Sequence, residues 1–151
     1  MDGTFTPREF EIVSLNTSAR KGERKTPVPR VTLVVDQGLE GDAHAGDGLR
    51  QVSLLAAEDI DEMIRRGARV GPGDFAENIT TRGIPLADLP LGTLLTIGEV
   101  ALEVTQIGKE CHTRCAIFQQ VGDCIMPRRG IFARVRQGGE ISHESLGHYR
   151  I

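Results

Sequence analysis

The sequence predicts a mainly β protein, organised as one domain around a closed or partly closed β-barrel with one firm α-helix and short peripheral helices. Six or more short apolar segments, rich in β-branched residues and bounded by turn residues, have the pattern of strands. Only one segment, AAEDIDEMIRRG, shows the apolar spacing of a helix strongly. A chain of 151 residues can bury a single core, so we expect one domain over residues 1–151.

The strand candidates follow one another along the whole chain. They are residues 10–15, 31–35, 51–55, 75–81, 93–97, 100–105 and 130–135. Gly98 and Glu99 separate two of them as a two-residue hairpin turn. Residues 130–135 are expected to form the last long strand, and the structure of the tail after Ile141 stays open.

The predicted helix lies between the third and fourth strand candidates. Its acids come early and its arginines late, and Gly67 follows, an order that suits the helix dipole and a glycine stop. We interpret its carboxylates as a solvated face rather than as acid–base catalysts.

Two connections have compositions that allow either a structural or a binding role. Residues 16–30 are polar and basic and include Ser18 and Arg20, so they form a solvated connection or an anion-binding loop. Residues 38–51 are rich in glycine and form a turn-rich connection or a binding loop that presents His44 and Arg50. Neither phosphate-binding fingerprint is present.

Asn78 lies in a predicted strand, where asparagine is disfavoured. It is either a bulge residue whose amide is satisfied within the protein or a polar group pointed into a site.

Composition excludes several classes of function. The net charge is −3 and only six residues are aromatic, none of them tryptophan, which argues against nucleic-acid binding. The N-terminal residues lack the apolar core of a signal peptide, and no apolar run has membrane-spanning length. We therefore expect a cytoplasmic protein that has no membrane partner and whose three cysteines are free, metal-bound or catalytic.

All three cysteines, Cys111, Cys115 and Cys124, lie close together in one segment of the chain. The segment also holds His112 and several cations, which favour thiolate formation. The cations are Lys109, Arg114, Arg128, Arg129 and Arg134. Cys111 and Cys115 would share one face of a helix because they are four residues apart.

The thiols alone leave four interpretations open. A structural zinc site could use His112 or His44 as a fourth ligand, but it would have only one close pair of cysteines. A redox pair would be one residue longer than C-x-x-C, and a Cys–His hydrolase would lack a recognisable motif. Ordinary core cysteines are the remaining interpretation.

An ordered set of motifs resembles the small stand-alone members of the MOSC family, which takes its name from the C-terminal domain of molybdenum-cofactor sulfurases. The motifs are GLEGDAHAG, RQVSLL, GDFAENIT, LPLGTLLTIG, LEVTQIGKECHTRC, GDCIMPRRGIFARV and GGEI. The resemblance covers roughly residues 10–141 and depends on order and spacing. It implies a barrel-like fold that binds molybdenum cofactor, a molybdopterin with a phosphate and a dithiolene-bound Mo.

The resemblance also implies site residues. Arg114-Cys115-Ala116 is similar to the Mo-ligating segment of the amidoxime-reducing relatives, so Cys115 is the first candidate for Mo ligand or sulfur carrier and Cys111 the second. Asn78 falls where those reductases have an Asn close to the cofactor. The expected cofactor-binding residues are Ser18, Arg20, His44, Arg50, Asn78, Lys109 and Arg114.

The expected role is a carrier of the cofactor or of sulfur, a sulfur-transfer partner for molybdoenzymes, or a small Mo-dependent reductase. The sequence shows neither a fused desulfurase domain nor the additional N-terminal module of the reductases. We therefore expect a cysteine desulfurase or a molybdoenzyme apoprotein as partner. The competing hypothesis is a zinc-stabilised binding module without catalysis.

Overall fold

The computed structural model describes residues 8–19, 24–42, 45–46, 48–108 and 129–150. These include the helix α1 (Ala57–Arg65) and the 3-10 turns Gly48–Arg50 and Leu86–Asp88. The strands are β1 (Arg8–Thr17), β2 (Thr26–Val28), β3 (Arg30–Val34), β4 (Gly38–Leu39), β5 (Val52–Ala56), β6 (Ile79–Arg82), β7 (Leu94–Ile97), β8 (Val100–Ile107), β9 (Ile131–Gln137), β10 (Gly139–Ser142) and β11 (Leu146–Arg150). The predicted mainly β fold is confirmed.

Seven strands form a closed barrel in the order β1-β11-β7-β8-β9-β5-β6, and β6 pairs again with β1. Closure is evident at Glu11 of β1, which pairs with Leu146 of β11 and with Arg82 of β6. β5 and β6 run parallel, with α1 in their connection, whereas the other barrel pairs are antiparallel. Closure leaves the paired parts of these strands without a free edge.

The closing strand β11 comes from the tail whose structure the sequence left open. Gly147 pairs with Phe10 of β1, and a Cβ at Gly147 would overlap the Phe10 ring. Tyr149 packs on the same ring, with the two ring centroids 6.2 Å apart. The chain's own tail therefore completes the barrel, so closure requires no second chain.

Alternation along the strands builds the apolar core inside the barrel. In β8, the buried side chains of Val100, Leu102 and Val104 alternate with less buried ones, as a period of two residues requires. β3, β4 and β10 form a separate antiparallel sheet. Residues of that sheet and of the Leu86–Asp88 region extend the same core: Val31, Leu33, Leu39, Ile141, Ile84, Leu86 and Leu89.

Helix α1 packs on the outside of the barrel and confirms the predicted helix. Leu54 of β5 and Ile131 of β9 belong to the core inside the barrel. Their sequence neighbours Leu55 and Phe132 belong to a second apolar cluster, together with Ile60 and Met63 of α1. The helix carboxylates are exposed or half-buried.

Two predicted boundaries were wrong. The strand expected at 75–81 begins only at Ile79, because residues before it form a turn in which Ala76 has a φ of 63°. The region 16–30, expected to be a loop, includes the end of β1 and all of β2. The glycine-rich region contains the two-residue strand β4 and a 3-10 turn.

Candidate functional site

The predicted site residues divide into two groups. Ser18, Arg50 and Asn78 lie in the described part of the chain. The other predicted residues lie outside the described residues: Cys111, Cys115, Arg20, His44, Lys109 and Arg114. The described residues that border the undescribed ones therefore define the candidate site.

Residues 109–128, called the cysteine segment below, hold all three cysteines and follow Gly108 at the end of β8. The chain is described again from Arg129, just before β9. The Gly108 N–H donates to the Gly130 carbonyl oxygen at 2.6 Å, which extends the β8–β9 pairing. Arg129 Nε donates to both Asp59 carboxylate oxygens at 3.2 and 3.3 Å. The described residues that flank the cysteine segment are thus anchored on both sides, and Arg129 is bound to the first turn of α1.

Arg50 belongs to the glycine-rich region but contacts Gln106, near the end of β8. Its Nε donates to Gln106 Oε1 at 3.2 Å, and Gln106 Nε2 donates to the Gly108 carbonyl oxygen at 2.9 Å. The Arg50 guanidinium lies over the Phe132 ring, 5.5 Å from its centroid, a cation–π contact. It is exposed, and among the described residues it forms no ion pair. Within the described part of the chain, the Arg50 charge is therefore oriented without an acidic partner, an arrangement that suits an anion-binding group.

Ser18 belongs to a buried polar cluster, here called the clasp (Ser18, Lys25 and Asp42). Lys25 Nζ donates to the Asp42 oxygens at 2.9 and 3.1 Å, and both side chains are 0% exposed. Asp42 Oδ1 also accepts the Ser18 backbone N–H at 3.0 Å, and Ser18 Oγ accepts from Lys25 Nζ at 3.2 Å. The two charges are therefore paired and hydrogen-bonded, which a buried ion pair needs.

The Asn78 amide links the ends of three barrel strands. Its Oδ1 accepts the Ser53 backbone N–H of β5 at 3.0 Å, and its Nδ2 donates to the Asn16 carbonyl oxygen of β1 at 3.2 Å. Asn78 is fully buried immediately before β6. These bonds give Asn78 a structural role; its role beside a cofactor stays a prediction.

Glu77 is the residue that the sequence reasoning missed in this region. It is fully buried, its Oε1 accepts the Phe75 N–H at 3.2 Å and its Oε2 accepts the Thr80 hydroxyl at 2.7 Å. Burial raises the pKa of Glu77 above 4.5, and the hydrogen bonds from the surrounding backbone and from Thr80 oppose that rise. Its place between Phe75 and Ile79 was the available signal, because charged residues rarely occur in apolar surroundings without a partner.

The Glu77 carboxylate ends a chain of buried hydrogen bonds. The Ser14 hydroxyl donates to Asn16 Oδ1 at 2.6 Å, and Asn16 Nδ2 donates to Thr80 Oγ1 at 3.2 Å. The Thr80 hydroxyl then donates to Glu77. These polar groups therefore stabilise the turn before β6 jointly, not as isolated contacts.

The described residues bring no three metal-ligating side chains together. In the same part of the chain, no helix combines the length and the apolar character needed to cross a bilayer.

Comparison with known proteins yields one family and several related folds. Residues 40–145 match the family profile described as "MOSC domain", and no sequence match is found among curated proteins. The YuaD protein from Bacillus subtilis is similar in structure with a TM-score of 0.80 at 15% identity, over 98% of this chain and 100% of that one. YiiM from Escherichia coli has a TM-score of 0.70 at 19% identity, over 96% of this chain and 71% of that one. YiiM from Geobacillus stearothermophilus has a TM-score of 0.70 at 22% identity, over 94% of this chain and 75% of that one. At these identities, the structural matches show a shared fold.

Proposed function

Because the chain belongs to the MOSC domain family, we propose that it binds molybdenum cofactor in the cytosol and carries the cofactor or its sulfur to molybdoenzymes. A cysteine desulfurase or a molybdoenzyme apoprotein is the proposed protein partner. A small Mo-dependent reductase is the other activity proposed for the same site.

The observation that carries this proposal is the position of Arg50. A phosphate on the pterin needs a cation or exposed N–H groups, and a guanidinium is well suited to it. Arg50 is exposed, stacked on Phe132 and held by Gln106 next to Gly108, where the cysteine segment begins. An anion bound by Arg50 would therefore lie near Gln106 and Gly108, the last described residues before the cysteine segment in the sequence.

The remaining ligand groups are proposed from the resemblance to the MOSC family, and their chemistry is consistent with that assignment. Thiolates are soft ligands, and nearby cations such as Lys109 and Arg114 favour the thiolate form. Cys115 is proposed as Mo ligand or sulfur carrier, with Cys111 second. When bound, the cofactor supplies a redox-active metal with an affinity for sulfur.

Elemental analysis tests the proposal directly. We expect chain purified without oxygen from a cofactor-producing host to contain Mo, phosphorus and a pterin absorbance. Zinc near one atom per chain, with neither Mo nor pterin, would refute it and support a zinc-stabilised binding module instead.

Arg50→Gln tests the role of the oriented guanidinium. Loss of a charge-assisted hydrogen bond costs about 1.5–3 kcal/mol, so we expect roughly 10- to 100-fold weaker cofactor binding. Arg136→Gln is the matched control, since Arg136 is an exposed arginine paired with Glu103. Equal cofactor retention in the two variants would remove Arg50 from the site.

Serine substitutions test the assignment of the thiols. Cys115→Ser is expected to abolish Mo retention, whereas Cys111→Ser should only weaken it. The opposite order would transfer the assignment to Cys111.

A further inference from the structure

The contribution of the clasp (Ser18, Lys25 and Asp42) to stability does not by itself explain why two charged side chains are buried there. Burying two charges is unfavourable, and well-packed apolar residues often replace a buried ion pair without loss of stability. Lys25 and Asp42 are nevertheless completely buried and make two close N–O contacts. Directional bonds of this kind set the relative position of the two chain segments that they join more strictly than apolar contacts would.

The clasp connects three stretches of chain. Ser18 and Lys25 lie in the first stretch, between β1 and β2, and Asp42 lies in the second, the glycine-rich region after β4. The third stretch is reached through the main chain, because the Lys25 N–H donates to the Gly73 carbonyl oxygen at 2.8 Å. Gly73 approaches so closely that a Cβ there would overlap the Lys25 carbonyl oxygen. That third stretch leads through Ala76 to Glu77 and Asn78.

Two of these stretches carry proposed ligand groups. Arg20 follows Ser18 by two residues, and His44 follows Asp42 by two residues. Arg50, at the other end of the glycine-rich region, binds Gln106. A displacement of Asp42 relative to Ser18 would therefore alter where both loops begin.

We propose that Lys25 and Asp42 are positioning residues: without touching the anionic cofactor, their ion pair sets the relative position of Ser18 and Asp42, and the chain continues from these two residues to the proposed ligands Arg20 and His44. This inference rests on the proposed function. Residues that orient ligand groups from outside their shell typically contribute about 10- to 100-fold in affinity.

The test uses the full chain carrying Lys25→Met and Asp42→Asn together. Met is an unbranched apolar side chain only one heavy atom shorter than Lys, and Asn can still accept the Ser18 N–H. Because both members of the pair are replaced, neither charge is left buried alone. We expect an unfolding midpoint close to that of the unsubstituted chain, but at least about tenfold less Mo retained after dialysis. Hydrogen exchange should become faster in peptides covering 38–42 and 71–77. Arg82→Met with Asp61→Asn is the matched control, because it removes an exposed pair.

Asp42→Glu provides a second variant if the double variant does not fold cooperatively. This substitution keeps both charges but lengthens the side chain of residue 42 by a methylene, so it should displace the loops and lower Mo retention. Unchanged Mo retention in either folded variant would overturn the inference. If the unsubstituted chain retains neither Mo nor pterin, the proposed function fails, and hydrogen exchange alone decides: unchanged exchange in both peptides would then overturn the positioning role.

Discussion

Glu77→Gln should remove a pH-dependent part of the protein's stability. Glu77 is fully buried, and among the described residues no cation pairs with it. Burial therefore raises the pKa of its carboxyl above the ordinary value of 4.5. Gln has the same shape and no proton to titrate. Its Oε1 can still accept the Phe75 N–H, and the Thr80 hydroxyl can rotate to accept from the new amide.

The direction of the effect follows from proton linkage. Between pH 4.5 and the raised pKa, the native protein binds more protons at Glu77 than the unfolded chain does. The free energy of unfolding therefore falls as the pH rises across that window, by at most about 1.4 kcal/mol per pH unit for one group. The stability that Glu77 contributes by binding this proton is fully present below the window and lost above it. Glu77→Gln should therefore abolish the fall in the free energy of unfolding across the window.

Urea unfolding from acidic to neutral pH measures the effect as a difference between two profiles. Glu144→Gln is the matched control, because Glu144 is exposed in the turn before β11. We expect the control to keep the slope of the unsubstituted chain and Glu77→Gln to lose it. Equal slopes for Glu77→Gln and the unsubstituted chain would show that Glu77 does not bind the extra proton.

Two glycine substitutions test how the barrel and its loops are held. Gly147→Ala should lower the free energy of unfolding by about 1–3 kcal/mol, because its Cβ would overlap the buried Phe10 ring in the closing strand; an unchanged urea midpoint would contradict this packing. Gly73→Ala should cost more than Gly41→Ala in the same assay. Both glycines have positive φ, at 91° and 82°, but only at Gly73 would a Cβ also meet the Lys25 carbonyl oxygen. Equal losses would refute that close approach.

Local pattern was sufficient for much of the fold. The β7–β8 hairpin followed from two alternating segments around Gly98, and α1 from apolar spacing flanked by acids and arginines. Residues 75–78 were mistaken for the start of a strand, because FAENITT alternates over its whole length, whereas β6 begins only at Ile79. Periodicity does not report that Glu77 and Asn78 are buried by contacts with distant strands.

Turn chemistry, periodicity and motif order are properties of neighbouring residues, so the strand-rich architecture, the helix and the family could be predicted from the sequence. The sequence also indicated Arg50 as a candidate. The folded structure was needed to show that the tail closes the barrel and that Arg50 contacts Gln106, 56 positions further along the chain. The same holds for the buried pair of Lys25 and Asp42. These contacts depend on how the closed sheet brings distant segments together, and that arrangement leaves no local signature in the chain.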